Sequence, residues 1–124
     1  MPDQALERFI VFLEERAARV RTLEAEAAKA LEGPEGQTGF ARHMRAKAEL
    51  LAALSQDGKP LLAEMPEAQA SPLARKLKVF SAGASNSLRI GSVFYMSALL
   101  YPDEHKPGEP NNLEVFISEL RQAG

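Results

Sequence analysis

Two glycine-containing segments come nearest to a phosphate-binding loop. Residues 33–39 read Gly-Pro-Glu-Gly-Gln-Thr-Gly, and residues 58–60 read Gly-Lys-Pro. A P-loop needs Gly-Lys followed by a Ser or Thr hydroxyl that holds magnesium, all of it after a strand. The first segment has no lysine, and Pro60 takes the place of the hydroxyl in the second. We therefore expect no nucleotide chemistry at either segment.

Ser85 is the best candidate for a nucleophile. Residues 83–87 read Gly-Ala-Ser-Asn-Ser, which approaches the G-x-S-x-G nucleophile elbow but ends in Ser87 rather than glycine. An elbow also lies at a strand-to-helix turn, whereas the apolar spacing around Ser85 is that of a helix interior. We predict that Ser85 is not catalytic.

The chain offers few metal ligands. It contains no cysteine, which removes thiolate catalysis and Cys-based zinc sites. A carboxylate-bridged di-iron centre needs a Glu three residues before each His. Those positions hold Phe40 before His43 and Pro102 before His105. We predict a chain that is not an enzyme and that uses no metal and no cofactor.

Apolar residues recur at helical spacing in four segments, and no segment alternates with a period of two. Asp3 can cap the first helix, Thr38 the second and Ser71 the third, while residues 33–37 and 57–60 interrupt the pattern with glycine and proline. The predicted helices span about 3–32, 38–56, 71–101 and 110–122. The fold class predicted for the single domain 1–124 is all-α, an antiparallel bundle of three long helices plus a shorter C-terminal helix.

Three polar residues fall on or near the apolar seams of these predicted helices. Glu24 lies on the seam of the first helix, and Asn86 and Ser87 lie near that of the third. A polar residue at a seam commonly fixes helix register at some cost in stability. Whether these residues meet is left open by the sequence.

The third predicted helix changes character along its length. From Ile90 to Pro102 it carries no charged residue, and apolar side chains point in every direction. A helix that is apolar all round must be covered. The C-terminal helix can cover it within the chain, or a second copy, another protein or a lipid surface can do so.

A proline-rich connector leads to the last helix, with prolines at 102, 107 and 110. These prolines favour a stiff connection. It can be a turn that returns the last helix to the bundle, or an arm that carries it to a partner. The residues predicted to form an interface are apolar or aromatic and belong to these two segments: Ile90, Val93, Met96, Leu100, Tyr101, Phe116, Ile117 and Leu120.

Charge is distributed unevenly. Residues 71–100 contain four basic residues and no acidic one, although the net charge of the chain is only −2. Arg75, Lys76 and Lys78 cluster near the start of the third predicted helix. They can pair with acidic residues of the first helix or the tail, or they can form an anion-binding patch. Nucleic acid is an unlikely partner because no aromatic residues are interleaved with this basic cluster.

The apolar run from Ile90 to Pro102 is about 13 residues, well short of the roughly 20 that span a bilayer. The N-terminus shows no basic run before an apolar stretch, so we expect no secretory signal, no membrane span and a cytoplasmic location.

These observations predict a non-enzymatic helical protein-interaction module. The expected partner is itself, as a homodimer formed through the apolar end of the third helix and the C-terminal helix, or another protein. The build is also similar to that of bacterial export chaperones, the flagellar type included, in which long helices end in an amphipathic segment. That resemblance implies the alternative, a secretion or flagellar export chaperone that holds a client with its C-terminal helix.

Overall fold

The computed structural model describes residues 3–123, and within that range it is built from helices without a strand. The predicted all-α class is therefore confirmed. The helices are α1 (Gln4–Glu32), α2 (Gly36–Ala52), α3 (Leu54–Leu62), α4 (Glu67–Ile90), α5 (Val93–Ala98) and α6 (Asn112–Ala123).

The first two helices form a hairpin. The Asp3 side chain caps α1 by accepting a hydrogen bond from the Leu6 amide, as the sequence predicts. A short turn at residues 33–35 then reverses the chain. Gly39 lies so close to Ala30 that a Cβ on Gly39 would be 2.9 Å from the Ala30 Cβ. A glycine at this position lets the two backbones approach near the turn.

The predicted second helix, residues 38–56, is wrong at both ends. Thr38 does not cap it, because α2 begins at Gly36. The predicted stop at Gly58 and Pro60 is also wrong, since both lie inside α3. A Cβ on Gly58 would lie 2.7 Å from Leu77 Cδ1, so the glycine allows α3 to pack closely on α4. This packing outweighs the weak helix propensity of the segment.

A buried hydroxyl separates α2 from α3. Ser81 Oγ on α4 donates to the Leu51 carbonyl and accepts from the Ser55 amide, both at 2.9 Å. In an uninterrupted helix the Ser55 amide would bond to the Leu51 carbonyl directly. The Ser81 side chain therefore inserts into the hydrogen-bond ladder, which is a recognised cause of helix breaks.

The third predicted helix, residues 71–101, is also corrected at both ends. It begins at Glu67, because the Gln69 and Ala70 amides bond to the Pro66 carbonyl and start the helix before Ser71. It ends at Ile90, because Gly91 adopts a left-handed φ of +75°. The Gly91 and Ser92 amides close a Schellman motif on the Leu88 and Ser87 carbonyls.

A short helix and a connector follow this stop. The Ser92 side chain caps α5 by accepting a hydrogen bond from the Tyr95 amide. Leu100 then takes a φ of +76°, a conformation that strains a non-glycine residue, and its carbonyl accepts the Asn112 amide at the start of α6. These two residues fix where the connector begins and ends.

The bundle buries apolar residues from every long segment. α1 packs along α2, α4 packs on α2 and α3, α5 packs on α2 and α4, and α6 packs on α1. The prediction of three long helices is thus corrected. Two helices, α1 and α4, are long, whereas α2 is shorter and is followed by the separate helix α3. Fully buried members of the core are Phe9, Leu13, Val20, Leu51, Leu54, Leu77, Met96 and Leu113.

Candidate interaction surface

Large apolar side chains are exposed mainly on one part of the molecule. Among the described residues, two exposed apolar side chains, Val11 and Leu31, lie on α1 and are about 40% exposed. The remainder lie on α4, α5 and α6 and reach 68% exposure at Val79 and 74% at Phe94. Single exposed apolar residues are normal, whereas several together mark a candidate binding surface. This second group is Val79, Ile90, Phe94, Tyr95 and Val115.

One face of α4 carries three exposed residues that a partner could contact. Val79, Gly83 and Ile90 are spaced by four and then seven residues, which places them on the same side of a helix. All three are exposed. Phe94 and Tyr95 follow Ile90 directly on α5, with their rings 5.8 Å apart. Exposed apolar residues therefore occur from the middle of α4 to the first turn of α5, interrupted by one exposed asparagine on the same face of α4.

A groove of about 310 Å³ lies between α4 and α6. Phe80 and Phe116 face each other across it with ring centroids 6.1 Å apart. Within residues 3–123, no Cα atom of α6 comes within 8 Å of a Cα atom of α4, so the helices stand apart and leave the groove open. We call it the α4–α6 groove; its large apolar lining residues are Leu51, Val79, Phe80, Leu99, Leu100, Val115 and Phe116.

Opposite charges line this groove. The Lys76 ammonium lies 5.5 Å from the Phe80 ring centroid and 5.8 Å from that of Phe116, so it interacts with both aromatic faces. Glu119 on α6 also lines the groove. Among the described residues neither Lys76 nor Glu119 has an oppositely charged partner within 4.0 Å. Both charges remain available to a partner.

The predicted interface residues are placed in three different environments. Met96, Leu100, Phe116 and Ile117 are buried in the chain's own core. Val93, Tyr101 and Leu120 are half-buried, and only Ile90 is exposed. The sequence pattern offers no reason to select Val79, Val115 or Glu119, because a lone apolar or charged residue on a helix surface has no distinctive spacing. These three residues form a surface only once α6 is placed beside α4.

The predicted anion patch lies on the exposed side of α4. Arg75, Lys76 and Lys78 are all exposed, and none makes an ion pair with another described residue. Arg75 donates to the Ser71 hydroxyl at 2.9 Å. The predicted pairing of these bases with acidic residues of α1 or the tail is absent from residues 3–123.

A buried polar cluster positions the connector that leads to α6. Lys47 on α2 is fully buried, its ammonium lies 2.9 Å from Glu24 Oε2, and it donates to the Ser97 carbonyl at 3.0 Å. The contact with Glu24 is a close ion pair that lacks hydrogen-bond geometry. The Tyr101 hydroxyl donates to Glu24 Oε1 at 2.7 Å. Glu24 is thus the polar seam residue that the sequence identifies, and it joins α2 and the connector to α1.

Neither of the other two polar seam residues meets Glu24. Ser87 is buried and donates to the Ala84 carbonyl at 2.7 Å. Asn86 is exposed and accepts a hydrogen bond from Arg89. Both therefore bond within α4.

Burial changes the pKa values of this cluster. It lowers the pKa of Lys47, although the neighbouring Glu24 carboxylate works in the opposite direction. Burial also raises the pKa of Tyr101 to about 12, and the hydrogen bond to Glu24 adds to that increase. Lys47 is buried and Tyr101 is half-buried, and their contacts with Glu24 and with the Ser97 carbonyl hold the connector in place.

Two arginines on opposite helices attach α6 to α1. Arg21 of α1 binds both oxygens of Glu114 at 2.6 and 3.0 Å, and Arg121 of α6 binds Glu14 and Glu7 of α1. The hydrogen bond from Arg21 holds the pKa of Glu114 below its usual value. These pairs supplement the apolar contact that Leu113, Phe116 and Ile117 make with the core.

The start of α6 is closed by a capping box. The Asn111 side chain accepts from the Glu114 amide, and the Glu114 carboxylate accepts from the Asn111 amide, both at 2.9 Å. The sequence contains the Asn-x-x-Glu spacing of such a box at residues 111–114. That spacing is the signal that would have placed the first turn of α6.

No family model, curated protein or solved structure matches the chain. Over residues 3–123, no helix combines the length and the apolar character needed to cross a membrane. In the same range no three His, Cys, Asp or Glu side chains converge as metal ligands would. The cytoplasmic location stays a prediction.

Proposed function

We propose that the chain is a non-enzymatic protein-interaction module that self-associates through the end of the third predicted helix and the C-terminal helix. The observation that carries this proposal is the set of exposed apolar residues on α4, α5 and α6, two of which, Val79 and Val115, line the α4–α6 groove. Aromatic residues such as Phe94 and Tyr95 contribute strongly when a partner buries them. Ile90 is retained from the predicted interface, and Phe94 and Tyr95 extend it.

The test is the absolute mass in solution, measured by light scattering across a tenfold dilution. We expect a dimer for the unaltered chain. Ile90→Ser combined with Phe94→Ser should weaken the dimer by about tenfold or more, because both side chains lose apolar contact area. Leu31→Ser is the matched control, since Leu31 is an exposed leucine on α1 away from the groove.

Thermal unfolding of each variant verifies that the fold is retained. The altered residues are exposed, so their melting temperatures as dilute monomers should stay close to that of the parent. A parent chain that is monomeric throughout the dilution series contradicts the proposal. So does a Leu31→Ser variant that weakens the dimer as much as the double variant does.

A chaperone-like role for α6 is the second candidate, and one observation favours it. The backbone of α6 packs closely on α1 but not on α4, and part of its attachment consists of the exposed arginine pairs at Glu7 and Glu14. Such pairs contribute little stability and permit release. Removing residues 110–124 separates the candidates: a helix that belongs to the core leaves a destabilised remainder, whereas a client-holding arm leaves a folded one.

A further inference from the structure

We infer that two copies pair around a two-fold axis that runs along the α4–α6 groove, with Lys76 of each copy facing Glu119 of the other. In this arrangement α4 of one copy covers α6 of the second, and the groove becomes the centre of a four-helix layer. The inference rests on the proposed self-association and specifies which face mediates it.

The register of the two helices supports this pairing. Leu99 Cδ2 lies 3.8 Å from where a Cβ on Gly83 would be, and the neighbouring Leu100 carbonyl holds the Asn112 amide at the start of α6. One turn further along both helices, Phe80 meets Phe116. The helices therefore run in opposite directions, because α6 advances from 112 to 116 while α4 recedes from 83 to 80.

The same register places charged and apolar residues of the two helices at matching positions along the groove. Val79 and Val115 adjoin the level of the two phenylalanine rings, and Lys76 and Glu119 follow about one turn beyond it. A rotation of 180° about an axis parallel to the groove leaves the position of each residue along that axis unchanged. It exchanges the α4 rim with the α6 rim. It therefore brings Val79 to Val115 and Lys76 to Glu119 of the second copy.

A two-fold interface must be complementary to itself, and this face meets that condition. One rim carries an ammonium and the other a carboxylate, and neither has an ion-pair partner within residues 3–123. Exposed valines flank them on both rims. The separation of α4 from α6 leaves space for side chains of facing helices to interdigitate. A second copy supplies the charge that each rim lacks.

Charge reversal tests the pairing. Lys76→Glu opposes two carboxylates across the interface, and Glu119→Lys opposes two ammonium groups. Each single variant should weaken the dimer by about tenfold at low salt. An equimolar mixture of the two variants should restore a mixed dimer. There the new carboxylate faces the new ammonium, and the native Glu119 of one chain faces the native Lys76 of the other.

Matched controls change net charge equally away from the groove. Lys78→Glu repeats the charge change of Lys76→Glu on the same helix, and Glu15→Lys repeats that of Glu119→Lys on α1. Both positions are exposed and have no ion-pair partner among the described residues. Neither control should change the dissociation constant by more than about twofold.

The outcomes separate the pairing from the proposed function. Recovery of a dimer only in the mixture supports the two-fold pairing. Within each variant chain positions 76 and 119 carry the same charge, so only a contact between the two chains can bring opposite charges together. The pairing is overturned if neither charge reversal changes the dissociation constant of the dimer, or if the mixture stays monomeric. Neither result contradicts self-association itself. A parent chain that never dimerises removes the proposed function and the pairing with it.

Discussion

α6 has two flanks, one towards α1 and one towards α4, and their side chains lie in different environments. Towards α1 it buries Leu113 and Ile117 and forms arginine pairs with Glu7, Glu14 and, through Arg21, Glu114. Towards α4 it leaves Val115 exposed and Glu119 without a partner among the described residues. The first flank is complete within one chain, and the second is not.

This difference separates residues that maintain the fold from residues that can serve a partner. A buried apolar residue stabilises by its removal from water and by close packing, so its loss leaves a cavity. An exposed one contributes to folding only slightly. Substitutions on the two flanks should therefore affect different measurements, stability on one side and dissociation on the other.

The largest effect is expected at Leu113, which is fully buried on the α1 flank. Leu113→Ala should lower the free energy of unfolding by about 2–5 kcal/mol because it removes buried methyl groups and opens a cavity. Val115→Ala, two residues away on the open flank, should cost less than about 1 kcal/mol. Denaturant unfolding of both variants as dilute monomers measures the contrast, and equal losses would show that the flanks do not differ.

An intermediate effect is expected at Lys47, which holds the connector in place from α2. Lys47→Met removes the ion pair with the partly exposed Glu24 and the bond to the Ser97 carbonyl, and should cost about 1–3 kcal/mol. Adding Glu24→Gln should recover part of that loss, because the half-buried carboxylate, which then has only Arg21 at 3.9 Å as a cation, is replaced by a neutral amide. Lys59→Met alters an exposed lysine and is the control. A loss at Lys47 no greater than at Lys59 would contradict the positioning role.

The smallest effect concerns pH and again tests the α1 flank. Since the pKa of Tyr101 is raised from 10.0 to about 12 in the fold, the folded state holds this proton more tightly than the unfolded state. Its stabilising contribution is complete below about pH 10 and is lost as the pH rises towards 12. Tyrosinate absorbance should show one transition near 12 that Tyr101→Phe removes. A transition that persists in this variant would contradict the assignment.

The sequence predicted the elements whose signals are local. The apolar spacing and the Asp3 cap located α1 almost to the residue, since 3–32 was expected and Gln4–Glu32 is observed. The end of α4 was missed, although Gly91 followed by Ser92 is itself a stop and a new cap. The uncharged character of that stretch suggested one continuous helix and concealed the two local signals.

Features that depend on tertiary contact could not be predicted in the same way. Gly58 and Pro60 are helix breakers by propensity, but both lie inside α3, where Gly58 packs closely against Leu77 of α4. Lys47 is expected to be solvated on a helix, and only its approach to Glu24 on α1 makes its burial acceptable.

The candidate surface was predicted in outline rather than in its residues. The pattern selected two segments, the end of the third predicted helix and the C-terminal helix, as apolar beyond what a surface requires, and exposed apolar side chains do occur in both. It did not distinguish the buried side, with Phe116 and Ile117, from the exposed side, with Val115 and Glu119. That distinction depends on how α6 is rotated against α1, and the capping box and the Arg21 pair fix the rotation.

The ion pairs of Arg121 join residues that are far apart in the sequence, and this separation bears on the order of folding. Arg121 and Glu7 are separated by 114 residues, so their contact closes a very large loop. Loop closure of this size carries an entropic cost that local hairpins such as α1–α2 avoid. We therefore expect α6 to dock late and to open early. Because α6 forms one wall of the α4–α6 groove, we expect the surface proposed for a second copy to form only when folding is nearly complete, so that partly folded chains do not pair through it.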